Sequence, residues 1–385
     1  MITYLQKTGP RVRAGLGDVA LLRLDFNTKD DWRMMAVIPT ITYLLQMGKT
    51  IVIVSHRGRP SGGSLTKGVP TGFSADLYLK RDAAKLAARI TRPVRFIDHF
   101  RWDEIRATVR GAQRGSIFLL DNLRFLPGEA TNDRGLARSL ASLADFYVND
   151  AFAVSHRANA SVVAITEFLP SYAGLELARE IGALGKVMTR PAHPLVLVLG
   201  GAKASDKLGV IARFRRRADR VLLGGGSANS VLALRGVDVR RSLRESDPVV
   251  LRVLRPLARD PKVLAPEDLV WGSGARKDTA LDIGPKTSRR FGAEIARART
   301  IIWSGPLGMI EKDAYAKGSI AVARAIGRNR KAFSLTGGGE TVMFLKQHRL
   351  DKAFSFISTG GGAMLDFLAG EKLPGIEALS RKRRK

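Results

Sequence analysis

Four times in its second half the chain repeats one unit: an apolar run, a glycine cluster, then a segment of helical period. The copies are LVLVLGGAK (Leu195–Lys203), VLLGGGSAN (Val221–Asn229), FSLTGGGET (Phe333–Thr341) and FSFISTGGGA (Phe354–Ala363). That order is the signature of parallel strands covered by helices. Glycine at a strand-to-helix turn lets backbone N–H groups approach an anion closely, and the helix N-terminus adds partial positive charge. A single copy reads best as a tight turn. Four copies, one of them carrying Lys203 and Lys207, point to a phosphate-binding sheet edge.

The first half follows the same alternation. Strand candidates are Val19–Asp25, Thr50–Ser55, Ser116–Asp121 and Asp145–Asp150, each ending in polar residues. Ligands of open α/β sheets gather at the carboxyl ends of strands, so Asp25, Asn27, Ser55, His56, Asp121, Asn122, Asn149 and Asp150 are expected around one cleft. At 385 residues the chain exceeds what one core organises, which makes two domains the expectation. The proline-bracketed segment SYAGLELAREIGALGKVMTR reads as an amphipathic helix with Leu175, Ala178, Ile181, Leu184 and Met188 on one stripe, a natural interdomain connector. The fold expected is therefore α/β: two Rossmann-like, doubly wound parallel-sheet domains joined by an interdomain helix.

Familiar nucleotide fingerprints are missing. No G-x-x-x-x-G-K-[ST] sequence occurs, and Gly15, Gly17 and Ala20 fit G-x-G-x-x-A only by chance, since they precede a strand. The absence of cysteine excludes disulfides, thiolate metal sites and cysteine nucleophiles. The five histidines show no metal-ligand spacing. No apolar run approaches the ~18 residues of a membrane span, and Met1–Arg13 lacks a signal-peptide core, so no membrane partner and a cytoplasmic location are expected. Arg381–Lys385 reads as a basic tail. A net charge of +29 attracts polyanions: nucleic acid first, phosphorylated metabolites second. Charge sign is the only support for nonspecific nucleic-acid binding, because RNA-binding aromatic motifs and zinc-finger spacing are lacking.

Read in order, LLRLDFN, SHRGRP, LLDNLRF, YVNDAFAVSHRANAS, LVLGGAKASDKLGVI, LDIGPKT, WSGPLGMIEKDAYAKG, LTGGGET and FISTGGGAMLDFLAGEKLPGIEAL closely resemble the phosphoglycerate kinase family. The resemblance implies a phosphoglycerate-binding domain (1–170), an interdomain helix (171–190), a nucleotide-binding domain (191–372) and a C-terminal segment (373–385) returning to the first domain. It implies reversible phosphoryl transfer between 1,3-bisphosphoglycerate and ADP, giving 3-phosphoglycerate and ATP, with Mg2+ bound to the nucleotide, hinge closure and a monomer. The glycerate site implied is Asp25, Asn27, Arg33, His56, Arg59, Arg124 and Arg157; arginine forks suit phosphate and carboxylate. The nucleotide site implied is Gly201, Ala202, Lys203, Lys207, Gly225, Gly226, Pro306, Gly338, Gly339, Glu340 and Thr341, with Glu311 on the ribose hydroxyls. Arg33, Lys203 and the amides near Gly361 and Gly362 would surround the transferring group, and Glu340 would serve the metal. The loop after Asn27 is shorter than the family's, Ser304 stands where the family has asparagine, and Glu340 where it has aspartate. The competing expectation is a catalytically degenerate paralogue whose basic surface binds nucleic acid.

Overall fold

The computed structural model describes residues 2–9, 15–28 and 30–380. Met1, residues 10–14, Lys29 and the basic run Arg381–Lys385 lie outside the described residues. The chain divides into two units, one comprising the chain up to Ile181 together with the segment from Lys372, the other Gly182–Glu371.

In the first unit the strands are β1 (Val19–Arg23), β2 (Thr50–Val54), the hairpin β3 (Ser64–Thr66) and β4 (Val69–Thr71), β5 (Arg95–Ile97), β6 (Ile117–Leu120), β7 (Phe146–Asn149) and β8 (Ser171–Ala173). Six of them form one sheet in the order β5-β6-β2-β1-β7-β8, every pairing parallel. Helices α1 (Trp32–Gln46), α2 (Lys80–Ile90), α3 (Trp102–Arg110), α4 (Pro127–Ala130) and α5 (Arg134–Ala141) fill the connections. β1, β2, β6 and β7 are buried along their whole length, as covering both faces of a parallel sheet requires. Each fully buried Leu, Ile or Val there contributes roughly 1.5–3 kcal/mol. Each strand ends one or two residues before its sequence-based limit, because the polar residues that follow turn out of the ladder to bind loops.

Ser171–Ala173, expected to be helical, instead adds β8 to the sheet edge beside β7. The helix that follows, α6 (Leu175–Thr189), starts at Leu175, and the division between units falls within it. Its buried positions are Glu176, Leu177, Glu180, Leu184 and Val187, so the apolar stripe is rotated from the expected one and only Leu184 is common to both. The two glutamates displaced the reading, since a periodicity count treats charge as solvent-facing.

The second unit contains β9 (Leu195–Leu199), α7 (Leu208–Phe214), β10 (Arg220–Leu223), α8 (Gly225–Leu234), α9 (Pro248–Arg259) and β11 (Val263–Leu264). The antiparallel pair β12 (Leu269–Trp271) and β13 (Ala280–Ile283) comes next, followed by α10 (Pro285–Arg297), β14 (Thr300–Ser304) and α11 (Lys317–Arg328). Last are β15 (Phe333–Gly337), α12 (Gly339–Gln347), β16 (Phe356–Ser358) and α13 (Gly362–Ala369). The main sheet runs β11-β10-β9-β14-β15-β16, all parallel. Its strands, numbered within the sheet, follow the 3-2-1-4-5-6 order whose crevice opens between the first and fourth, here β9 and β14. The segment from Lys372 belongs to the first unit: α14 (Pro374–Ser380) sets Ala378 among Ala151, Val154, Val162 and Val163, and the Gly375 amide donates to the Ser155 carbonyl (2.8 Å).

Candidate active site

In the first unit the loops leaving β1, β2 and β6 carry the candidate anion ligands. Asp25 is buried; its Oδ1 accepts from the Asn27 amide (2.8 Å) and its Oδ2 from Arg33 Nη1 (2.7 Å). Asn27 Oδ1 accepts from the Gly58 amide at 2.9 Å, tying the β1 loop to the β2 loop. Arg124 is half-buried and donates to the Gly58 carbonyl. Arg157 touches His156, donating from Nε to Nε2 (3.3 Å). Arg59 is exposed and has no acidic partner among the described residues.

Sequence reasoning missed the group beneath this layer. Arg23, the last residue of β1, is 1% exposed, donates from Nε to Ser161 Oγ (2.8 Å) and lies 3.7 Å from Glu129 Oε1. Ser161 in turn donates from its amide (3.0 Å) and its hydroxyl (2.6 Å) to the Glu129 carboxylate, itself wholly buried. Burial pushes the Glu129 carboxyl up, while Arg23, Ser161 and Arg124 oppose. The signal available was an arginine inside the apolar run LLRLD, a position that only a buried partner tolerates.

Arg23 Nη2 also stands 3.2 Å from His56 Nδ1. A guanidinium can only donate, so Nδ1 accepts and the ring proton sits on Nε2. Burial, with Arg23, Arg124 and Arg157 nearby, holds His56 well below its ordinary pKa against the pull of Asp25, leaving the imidazole neutral. Burial raises the Asp25 carboxyl, yet His56, Arg33, the Asn27 amide and Arg23 keep it below the usual range. With the imidazole neutral, the two arginines and the amide carry that depression. Burial and repulsion from Arg157 and Arg23 lower Arg124 to about 10, still charged at neutral pH.

Several strand-end residues expected around the cleft serve the backbone instead. Asp121 Oδ1 accepts from the Leu79 (2.9 Å) and Asn122 (2.8 Å) amides, and Asp150 Oδ1 from the Leu177 amide in the first turn of α6 (2.8 Å). Burial raises Asp121 to about 6 and Asp150 to about 7. Ser55 Oγ accepts from the Phe26 amide (3.0 Å) and Asn149 Oδ1 from the Ala151 amide (3.0 Å). The Arg57 guanidinium, another group missed, binds Asp82 (2.6 Å) and the Phe26 carbonyl (2.8 Å), bracing the β1 loop.

In the second unit the four glycine turns end β9, β10, β15 and β16, on one edge of one sheet. A fifth, Gly305–Pro306 after β14, completes the set. Two adjoining cavities open there. One, of about 490 Å³, is lined by Gly201, Ala202, Gly225, Gly226, Pro306, Glu311 and Glu340, with Leu281, Leu307 and Met309 giving it an apolar wall. The other, of about 770 Å³, is lined by Gly201, Ala202, Lys203, Lys207, Pro306, Gly338, Gly339, Glu340, Thr341, Gly361 and Gly362. Every sequence-predicted nucleotide residue lines one or both.

The glycines do not all act alike. The Gly201 amide donates to the Pro306 carbonyl (2.6 Å), the Gly225 amide to Leu307 (3.0 Å) and the Gly226 amide to Gly201 (2.9 Å). Those donors are spent. A Cβ on Gly226 would lie 2.1 Å from the Ala202 carbonyl oxygen, so this glycine permits close packing of two turns instead of cradling an anion. The first-turn amides of α12 and α13 have no intrahelical acceptor by the geometry of a helix start, and they face the larger cavity. Lys207 is buried beside Gly201; burial lowers its ammonium against the pull of Asp206, Glu340 and Glu245. Lys203 and Glu340 are exposed.

Arginines gathered on strand-end loops of one α/β unit and two adjoining cavities at the switch point of another suit a nucleotide-dependent phosphotransferase. A family profile described as Phosphoglycerate kinase matches residues 16–371. The phosphoglycerate kinase of Dictyoglomus turgidum is 37% identical over 95% of this chain and 96% of its own length, and that of Thermomicrobium roseum 40% identical over 93% and 95%. The solved structure of the Pyrococcus horikoshii phosphoglycerate kinase superposes with a TM-score of 0.84 at 29% identity, covering 98% of each chain. That from Coxiella burnetii gives 0.83 at 28% over the whole of both. The chain belongs to the phosphoglycerate kinase family. Its reaction is the reversible transfer of a phosphoryl group between 1,3-bisphosphoglycerate and ADP.

Proposed function

We propose the following division of labour. The first unit binds the glycerate through Arg33, Arg59, Arg124 and Arg157, with Asp25 and Asn27 ordering the loops and the His56 Nε2–H donating to the ligand. Charge complementarity supports this: four guanidiniums serve one small phosphorylated carboxylate, and among the described residues only Arg33 of the four has an acidic partner in an ion pair. In the second unit the apolar cavity takes the base, with Glu311 toward the ribose, and Lys203, Lys207 and the first-turn amides of α12 and α13 take the phosphates. The single observation that carries the reading is that the two cavities adjoin and share Gly201, Ala202, Pro306 and Glu340, so one ligand fills both.

In the ATP-forming direction a β-phosphate oxygen of ADP attacks the acyl phosphate and the glycerate carboxylate leaves; in reverse the carboxylate attacks the γ-phosphorus. No protein nucleophile is needed. Arg33, Lys203 and the amides at Gly361 and Gly362 stabilise charge on the transferring group, which is the main contribution a protein makes to this chemistry. Direct transfer needs reacting atoms within ~3–3.5 Å, so the cycle includes hinge closure.

Mg2+ fits the residues present. Glu340, in the first turn of α12, offers one exposed carboxylate, and Mg2+ takes one or two carboxylates plus phosphate oxygens while keeping several waters. No cluster of three or more His, Asp or Glu forms a metal cage among the described residues, in keeping with a metal that arrives with the nucleotide. Bound there, it neutralises phosphate charge.

A monomer in the cytoplasm completes the proposal; no helix among the described residues is long and apolar enough to cross a membrane. The degenerate-paralogue alternative has no observation in its favour. Calorimetric titration of two variants tests the division. Arg59→Ala should weaken 3-phosphoglycerate binding roughly tenfold or more and leave Mg-ADP unchanged, and Glu311→Ala should do the opposite. A loss of both ligands in either variant would contradict it.

A further inference from the structure

Helices α10 and α11 lie side by side in the second unit, close enough that a Cβ on Gly292 would sit 3.8 Å from Ala325 Cβ. Above this small-residue floor runs a groove of about 770 Å³ walled by Arg289, Arg324, Arg328, Arg330 and Lys331. Lys331 also lines a second hollow of about 550 Å³, to which Arg299 and Lys186 contribute. The two hollows share Lys331, and this basic trough has no Asp or Glu in either lining. All five groove cations are exposed, and none forms an ion pair among the described residues. Of the acids on α10 or paired to it, Glu294 is engaged by Arg220 and Glu267 by Lys286 and Arg290.

The trough is built, not frayed. Asn329 Nδ2 donates to the carbonyls of Ile295 (2.7 Å) and Ala298 (2.9 Å), pinning the turn that carries Arg330 and Lys331 to the end of α10. Arg324 and Arg328 stand one helical turn apart, where exposed like charges repel weakly and a bound anion relieves the repulsion. Arg299 immediately precedes β14 and Lys331 lies two residues before β15, at the amino ends of the strands, whereas the glycine turns lie at their carboxyl ends. Five residues of strand, about 17 Å, separate the trough from the nucleotide cavities.

We propose that this trough binds single-stranded nucleic acid without sequence preference. From Arg289 to Ile295 and Ala298, where the Arg330–Lys331 turn is held, is six to nine residues, roughly 9–14 Å, too far for one small phosphate and suited to successive backbone phosphates. Arginine forks match phosphate oxygens, and the Gly/Ala floor between α10 and α11 offers no large apolar side chain to receive those of an acidic peptide; Val187, Pro191 and Phe333 line only the second hollow. The inference rests on this surface alone and stands apart from the kinase reading.

Fluorescence-anisotropy titration of a dye-labelled twelve-nucleotide RNA over a salt series tests it. Each lost phosphate contact on a single strand lowers the salt slope by about 0.7 and affinity at 0.15 M salt about fourfold. The triple variant Arg324→Glu, Arg328→Glu, Lys331→Glu should therefore lower the slope by about 2 and weaken binding roughly 50-fold. A control with the same charge change on α9, Arg252→Glu, Arg255→Glu, Arg259→Glu, should stay within about threefold. The corresponding triple glutamine variant at 324, 328 and 331 repeats the test with less folding risk, and unchanged kinase turnover certifies the fold. Equal losses in trough and control variants, or no loss in either, would overturn the proposal. So would a labelled poly-glutamate peptide that binds wild type more tightly than the RNA.

Discussion

Arg23 Nη2 lies 3.2 Å from His56 Nδ1, and both side chains are almost wholly buried. The contact makes a cation from the core dictate the tautomer of His56, leaving the ring proton on Nε2. A neutral histidine among three arginines follows from burial and like-charge repulsion together. Heteronuclear NMR should show the Nε2–H tautomer with no titration of His56 between pH 5.5 and 8. A midpoint near 6.5 would show that the imidazole is not desolvated as described.

Glu129 is the counter-charge to that arginine. Glu129→Ala leaves Arg23 buried without a carboxylate and should cost about 3–5 kcal/mol in urea unfolding. The double variant with Arg23→Met should cost less than the sum of the single changes, since the two groups share one interaction.

Asp150 supplies a pH signature. Its folded pKa, about 7, lies above the ordinary aspartate value of about 3.9, so the fold prefers the protonated form. The stabilisation is fully present below about pH 4 and is lost as pH rises through 7, a span worth on the order of a few kcal/mol. Asp121 and Asp282, each raised to about 6 by burial, slope the same way. Asp150→Asn should gain thermal stability relative to wild type at pH 7.5 compared with pH 4.5. An equal difference at both pH values would show that the carboxyl does not titrate in the folded state.

Much of this architecture was legible from patterning. Both sheets announced themselves as apolar runs ending in polar or glycine residues, since parallel strands buried on two faces carry no alternation to confuse. What stayed hidden was decided by partners remote in sequence. Glu176 and Glu180 turned α6 against the expected stripe, and Asp150, read as a ligand-facing residue, anchors the first turn of α6. The Arg23–Glu129–Ser161 group joins a strand, a short helix and a loop that no local window spans. The glycine clusters stand out as a repeat, yet only the fold separates Gly226, which allows two turns to touch, from Gly339 and Gly362, which begin α12 and α13 at the larger cavity.

Glu340 tests the metal assignment. Glu340→Asp should stay active, whereas Glu340→Ala should raise the magnesium needed for half-maximal turnover about tenfold with little change in thermal stability. If the carboxylate instead only favours the helix N-terminus, alanine costs roughly 0.3–1 kcal/mol and leaves the magnesium titration unchanged.

Turnover of ATP with 3-phosphoglycerate, followed by coupled ADP detection, tests the central claim most directly. Wild type should show saturable, magnesium-dependent turnover in both substrates, and Arg33→Ala and Lys203→Ala should each lower kcat roughly 10²–10³-fold while both ligands still bind. Wild-type protein that binds both substrates without turnover, or a Lys203→Ala variant with undiminished kcat, would contradict the account.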